Sequence, residues 1–251
     1  MTTSLTGARI WITGASSGIG AALASELADR GARVAISARR VDRLNEVSSG
    51  RMKSVPLDVT DHDAVLAAAD DVRDEFGDID YAIFNAGAWT QTKVGEWDAD
   101  AFRSQVEVNL LGTNSGIAAV LPRMLERNAG AIVIVASVAG YRGIPGAEAY
   151  GATKAALLNL AESLRADLAP TGVQVQCVSP GFVRTELTGA NPFPMPFMIE
   201  AEQAASTIAD NLGSGRPEVV FPLPMAVTMK VLRLVPQRLW TSIWRRQSSL
   251  R

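Results

Sequence analysis

Short runs of β-branched and aliphatic residues alternate along the chain with longer stretches whose apolar positions recur at helical spacing. Ala8–Thr13, Ala32–Ser37, Met52–Asp58 and Ile79–Asn85 read as buried strands; Ala131–Ser137, Gly172–Ser179 and Glu218–Phe221 continue the series. Behind the first strand, Ile19, Leu23 and Leu27 fall on one helix face, and the pattern stops at Gly31. Thr60–Gly77 opens on cap-type residues and ends on a glycine, while Asp98–Leu125 and Ala149–Pro170 are the longest helical stretches. Strand and helix in repeated alternation make right-handed βαβ units. The pattern therefore predicts a doubly wound α/β fold: a mainly parallel sheet of seven strands with helices on both faces.

No linker or low-complexity stretch divides the chain before Gly181, so residues 1–251 are expected to form one domain. Two segments break the alternation. Residues 182–200, "FVRTELTGANPFPMPFMIE", are rich in Pro, Phe and Met without a clean period, which suits a functional lid. From about residue 219 the tail is apolar and basic, with Lys230, Arg233, Arg238, Arg245, Arg246 and Arg251 and no acidic residue. Its uncharged run to Met229 is short of the roughly 20 residues a bilayer span needs. The tail is expected to pack over the lid or a neighbouring subunit, with an anionic membrane surface as the alternative.

Composition narrows the chemistry mainly by exclusion. A chain of 251 residues, 47% hydrophobic and 20% charged, is an ordinary globular protein, and a net charge of -2 gives no reason to expect a nucleic-acid partner. The start, "MTTSLTGARIWITG", shows no basic region followed by an apolar one, so no secretory signal and a cytoplasmic location are expected. The single cysteine, Cys177, cannot close an intramolecular disulfide and reads as a small core residue. The single histidine, His62, has no second His or Cys with which to hold zinc or activate a thiol, so no metal site is expected. It reads as a solvated residue in the first turn of a helix. Imidazole does not carry the chemistry.

The first strand runs into "TGASSGIG", Thr13–Gly20, and then into a helix. Glycines at 14, 18 and 20 permit a tight turn and close approach of backbone to a pyrophosphate, and the helix start offers free N–H groups. "NAG" (Asn85–Gly87) ends the fourth strand, and Asn109, Ser137, the pair Tyr150/Lys154 and "PG" (Pro180–Gly181) follow in order. Tyr150 and Lys154, four apart in "AYGATKAAL", share a helix face. A phenol with a free pKa near ~10 is a poor base at neutral pH, and a neighbouring ammonium can lower it by roughly 1–3 units. Ser137, at a strand's carboxyl end, sits where open α/β sheets place ligands and can hydrogen-bond a substrate oxygen. Tyr141 is the competing phenol. No lysine follows it at helical spacing, and it reads as a cleft-wall residue or a surface aromatic.

This set of motifs, spread from Ala8 to about Phe221, resembles the short-chain dehydrogenase/reductase family in its compact single-domain branch, with a Rossmann-type fold. The resemblance implies Tyr150 as general acid/base and Ser137 as the group that orients the substrate oxygen. It implies that Lys154 lowers the Tyr150 pKa and binds the nicotinamide ribose, and that Asn109 holds a water in a proton relay. It further implies cofactor contacts from Gly14, Ser16, Ser17, Gly18, Ile19, Gly20, Asp58, Val59, Asn85, Ala86, Gly87, Pro180, Gly181, Val183 and Thr185, and assembly as a homodimer or homotetramer.

At the end of the second strand, "ISARRVDR" has Ala38 where NAD-specific sites usually place a carboxylate, followed by Arg39 and Arg40. An arginine there suits a 2′-phosphate, so NADP(H) is expected over NAD(H), with Arg39 as its contact and Arg40 able to compensate in part. The substrate is expected to be a carbonyl or secondary alcohol. Trp89, Ile144 and Phe182, with Phe193, Met195 and Phe197 from the lid, are the candidates for an apolar substrate wall. A nucleotide-sensing regulatory protein without turnover is the alternative on the same fold.

Overall fold

A computed structural model describes residues 4–189, 191 and 194–245. Among them, Arg9–Thr13 (β1), Arg33–Ala38 (β2), Lys53–Pro56 (β3), Tyr81–Phe84 (β4), Gly130–Val135 (β5), Val173–Pro180 (β6) and Glu218–Phe221 (β7) are the strands of one sheet. All neighbours are parallel, in the order β3-β2-β1-β4-β5-β6-β7. The chain starts in the middle, winds outward to β3, then returns to β4 on the other side of β1. The loops after β1 and β4 therefore leave the sheet in opposite directions and open a crevice at the strands' carboxyl ends.

Period-2 alternation sends successive β1 side chains to opposite faces. Ile10 and Ile12 join Leu23, Leu27 and Ile208 in the core under helices Gly18–Asp29 (α1) and Ala201–Asn211 (α8). Trp11, between them, packs on the other face with Val65, Val72, Phe84 and Leu157. That face is covered by His62–Phe76 (α3), Gly112–Glu126 (α5) and Glu148–Leu168 (α6). Burial on both faces explains why the strands read as continuous apolar runs.

Several local features differ from the sequence pattern. Val41–Ser48 (α2) has only Leu44 and Ser48 buried, too few positions to show a period. The single stretch expected over Asp98–Leu125 is two helices, Ala99–Val106 (α4) and α5, joined by a π-helical turn at Glu107–Leu111. Glu186–Gly189 (α7) forms a short turn of helix within the lid. The tail folds as Leu223–Leu234 (α9) and Gln237–Arg245 (α10). His62 is the exposed first residue of α3, its Nδ1 3.0 Å from Ser115 Oγ. Cys177 is buried in β6, where desolvation pushes its thiol up to about 11. Both match their expected roles.

The contact between α5 and β4 passes through Gly116, where an added Cβ would stand 2.3 Å from Phe84 Cε1. Alanine is a better helix former by about 1 kcal/mol, but the ring behind it is fully enclosed and cannot yield. Gly116→Ala is expected to lower unfolding stability by roughly 1–3 kcal/mol in denaturant melts, the usual range for overpacking. A variant as stable as the wild type would show that α5 does not pack so closely on Phe84.

Candidate active site

The crevice is built from the seam between β1 and β4. Thr13 Oγ1 accepts from the backbone N–H of Asn85 and Ala86 at 3.2 and 3.3 Å. The Asn85 amide donates back to the carbonyls of Thr13 and Gly14 at 3.1 and 3.0 Å. Gly20, in the first turn of α1, must be glycine for this seam to close: a Cβ would lie 2.4 Å from the Gly14 carbonyl and 2.5 Å from Asn85 Nδ2. The seam fixes the loop after β1 against the loop after β4 and aims the start of α1 into the crevice. Unpaired N–H groups at that helix start form an anion-binding end.

A cavity of about 670 Å³ runs along the strands' carboxyl ends. Gly14, Ser16, Ser17, Gly18, Ile19, Arg39, Asp58, Val59, Asn85, Ala86, Gly87, Pro180, Gly181, Val183 and Thr185 line it, as do Trp89, Ser137, Tyr150 and Lys154. Gly20 stands behind this wall, in the seam. Asn109 also stands behind it, fully buried in the π-helical turn. Its Nδ2 donates to the Ala88 carbonyl and to Thr153 Oγ1, both at 3.0 Å, and its Oδ1 accepts from the Ala88 N–H at 2.7 Å. The whole amide is thus used in fastening the loop after β4 to α6.

Of the expected substrate wall, Trp89 lines the cavity; its ring meets Tyr150 edge-on at 5.4 Å, and its indole N–H donates to Asn191 Oδ1 at 2.7 Å. Ile144 and Phe182 lie elsewhere, packed with Val138, Tyr141, Met225 and Met229 beneath α9. Phe197 is turned outward, 51% exposed. Met195 Sδ accepts from the Asn191 side chain at 3.5 Å. Phe193 lies outside the described residues. Thr90, Gln91, Val108, Leu187, Thr188 and Asn191 also line the cavity, making it less apolar than the sequence suggested.

Ser137, Tyr150 and Lys154 converge on one side of the cavity. Ser137 leaves β5 in an extended conformation, accepts from the Ala139 N–H at 3.1 Å and donates to the Pro180 carbonyl at 3.4 Å. Its hydroxyl lies close enough to the Tyr150 phenol to oppose a rise in the phenol's pKa. Lys154 is buried, with Nζ donating to the Val135 carbonyl at 2.8 Å and lying 5.5 Å from the centroid of the Tyr150 ring. Loss of hydration brings the ammonium down to about 8. The same loss raises the Tyr150 pKa above its ordinary value, with the Ser137 hydroxyl opposing the rise. The expected lowering by Lys154 is therefore reversed in this structure: the ammonium points to a carbonyl, and desolvation of the phenol dominates.

Tyr141 also departs from expectation. It is neither cleft wall nor surface aromatic but buried against Val138, Met225 and Met229. Its hydroxyl donates to Glu218 Oε1 at 2.6 Å, and Ser179 Oγ donates to the same oxygen at 2.6 Å. Burial first, and the carboxylate second, push its phenol far upward.

The arginine pair divides its work differently from the sequence reading. Arg39 is mostly exposed, 3.9 Å from Asp58 Oδ2. Arg40 reaches into the phosphate loop, donating to Ser16 Oγ at 3.2 Å and Ser17 Oγ at 2.8 Å. Arg40 Nη1 also pairs with Glu186 at 2.8 Å, and Arg43 approaches the same carboxylate at 3.5 Å. Hydrogen bonds from Arg40 and Ser17 lower the Glu186 pKa. Glu186 was missed from sequence. The available signal was a lone acid at the start of the lid, facing paired arginines. The wall is donor-rich, with a helix N-terminus, hydroxyls and arginines along it and a phenol, a hydroxyl and an ammonium together at Ser137. An elongated ligand bearing phosphates and a reducible or oxidisable group fits that donor set.

Known proteins are similar to this chain in sequence and fold. The short chain dehydrogenase family matches residues 8–192. An uncharacterized oxidoreductase of Myxococcus xanthus is 39% identical over 241 residues, covering 94% of this chain and 95% of its own length. Among solved structures, a short chain dehydrogenase of Burkholderia cenocepacia in complex with NADP has a TM-score of 0.84 and 31% identity, covering 96% of this chain and 98% of its own. A Burkholderia phymatum short chain dehydrogenase/reductase in complex with NAD has the same fold at a TM-score of 0.84 and 24% identity, covering 91% of this chain and 93% of its own. The seam-built crevice, the wholly parallel sheet and the match across most of the sequence agree: this chain belongs to the short-chain dehydrogenase family of oxidoreductases.

Proposed function

We propose that the protein is an NADP(H)-dependent oxidoreductase that interconverts a carbonyl and a secondary alcohol, with Tyr150 as proton donor and acceptor. The observation that carries this reading is the convergence of Ser137, Tyr150 and Lys154 on the cavity that the phosphate loop also lines. The NADP complex of the Burkholderia cenocepacia relative supports a nicotinamide cofactor. When bound, the nicotinamide supplies or takes the hydride at the substrate carbon. Ser137 donates a hydrogen bond to the substrate oxygen, and Tyr150 gives it a proton as the carbonyl is reduced. The phenol, ordinarily protonated at neutral pH, is held still further from ionising by burial. That is the form a proton donor requires. The Lys154 ammonium then stabilises the phenolate left behind. Gly14, Ser16–Ile19 and the start of α1 would hold the pyrophosphate, and Thr185 and Val183 the nicotinamide end.

NADP(H) is preferred over NAD(H) in this reading because no acid stands at Ala38, and Arg39 and Arg40 both line the cavity. A guanidinium binds two oxygens of a 2′-phosphate in parallel, and such charge-assisted bonds contribute roughly 1.5–3 kcal/mol. NADPH is therefore expected to bind about ten- to a hundredfold tighter than NADH in fluorescence titrations. Replacing Arg39 and Arg40 by alanine together with Ala38→Asp is expected to reverse the order. Equal or tighter binding of NADH by the wild type would contradict the preference.

The catalytic assignment is tested by comparing two phenols. Tyr150→Phe is expected to retain NADPH affinity while losing roughly 10²–10⁴ in turnover on a reducible carbonyl. Tyr141→Phe removes a partner of Glu218 and is expected to lower stability by about 1–3 kcal/mol with turnover near that of the wild type. Equal losses of turnover in both, with cofactor affinity unchanged, would show that the wrong phenol has been chosen.

A further inference from the structure

The two helices after β7 are fastened to the body by one face only. Met225, Ala226 and Met229 of α9 are buried, the two methionines against Val138 and Tyr141. Trp240 of α10 donates to the Gly143 carbonyl at 2.9 Å, stacks under the Arg142 guanidinium at 5.2 Å, and meets Trp244 edge-on at 5.6 Å. The tail thus packs not over residues 182–200 as expected, of which it meets only Phe182, but over the segment after Ser137 and the edge strand β7.

The opposite face is also apolar. Leu223, Val227, Val231 and Leu234 fall within about 80° of arc at 100° per residue, and Leu239 and Ile243 are exposed one turn apart on α10. Leu223 is 73% exposed and Leu234 83%. Of thirteen strongly exposed large apolar residues among the described residues, these six are concentrated on two adjoining helices. A helix apolar on two sides is covered on both in its working state.

Charge selects what covers it. No acidic residue follows Glu218, whereas Lys230, Arg233, Arg238 and Arg245 lie on these helices and Arg246 and Arg251 follow in sequence. Lys230 flanks the apolar stripe, beside Leu223, where a long stem can lie along hydrocarbon while the ammonium reaches outward. A second copy packed by twofold symmetry would set these cations against themselves without a carboxylate to pair with them. An anionic lipid surface offers acyl chains to the stripe and headgroup phosphates to the cations. No helix among the described residues is long and apolar enough to cross a membrane. We infer that α9 and α10 form a pair of interfacial helices that docks the enzyme on an anionic bilayer surface. The inference rests on these two helices and is independent of the reading of the active site.

Full-length protein is sedimented with vesicles of phosphatidylcholine alone or mixed with phosphatidylglycerol. Binding to the mixed vesicles, weakened by added salt, is expected. Leu234→Gln with Leu239→Gln, both on the outer face, is expected to fold normally by thermal melt and to reduce binding about tenfold or more. Lys230→Glu with Arg238→Glu is expected to abolish the preference for anionic lipid. Absence of binding to mixed vesicles would overturn the inference, as would binding that neither double variant reduces. A dimer in sedimentation velocity that Leu234→Gln with Leu239→Gln dissociates would show instead that a second copy covers this face.

Discussion

The site depends on one buried ammonium. Lys154 Nζ donates to the Val135 carbonyl at the end of β5, among groups that include no carboxylate bonded to it. Such a charge is expensive to desolvate, and a fold selected for stability alone would place an apolar side chain there. What the charge secures is position. It pins the first turns of α6 to the central sheet and holds Tyr150, one turn earlier, beside the loop that carries Ser137. Thr153, between them, accepts from Asn109, which in turn clasps Ala88 after β4. One turn of helix therefore joins three separate parts of the cavity wall.

The second constraint is the seam between β1 and β4, where topology alone would leave an open slot. Thr13 and Asn85 close its base with hydrogen bonds and leave its rim to the phosphate loop. Because Arg40 reaches the serines of that loop and also pairs with Glu186, the lid begins its course tied to the same rim. The loop after β1 and the segment that begins at residue 182 are thus not independent modules. Both rest on the arginine that follows β2 by two positions.

What sequence conveys about this molecule is its periodic part. Apolar runs marked the strands, most plainly β1, β2, β4, β5 and β6, which are buried on both faces, and Tyr150 and Lys154 revealed their shared face by spacing. Features created by tertiary contact left no such trace. The π-helical turn at Asn109 is invisible because it keeps apolar spacing nearly helical across the join of α4 and α5. Tyr141 resembled a loop aromatic because its partner, Glu218, is far along the chain and adjacent only through the pairing of β6 with β7. Arg40 and Glu186 likewise meet only after the lid has folded back. Ile144 and Phe182 were grouped with the substrate wall by their apolar character, but α9 recruits them instead.

Burial in the cavity wall lowers the Lys154 ammonium below the ordinary lysine value, and that lowering is open to direct measurement. The chain has four lysines, Lys53, Lys93, Lys154 and Lys230, so a protein labelled with carbon-13 at the lysine ε position gives a spectrum in which each can be followed with pH. One resonance is expected to titrate at about 8, an ammonium below that pH and a neutral amine above it, and to be absent from Lys154→Met. If the resonance missing from that variant titrates at the ordinary lysine value of about 10.4, the ammonium is hydrated and the account of the site is wrong.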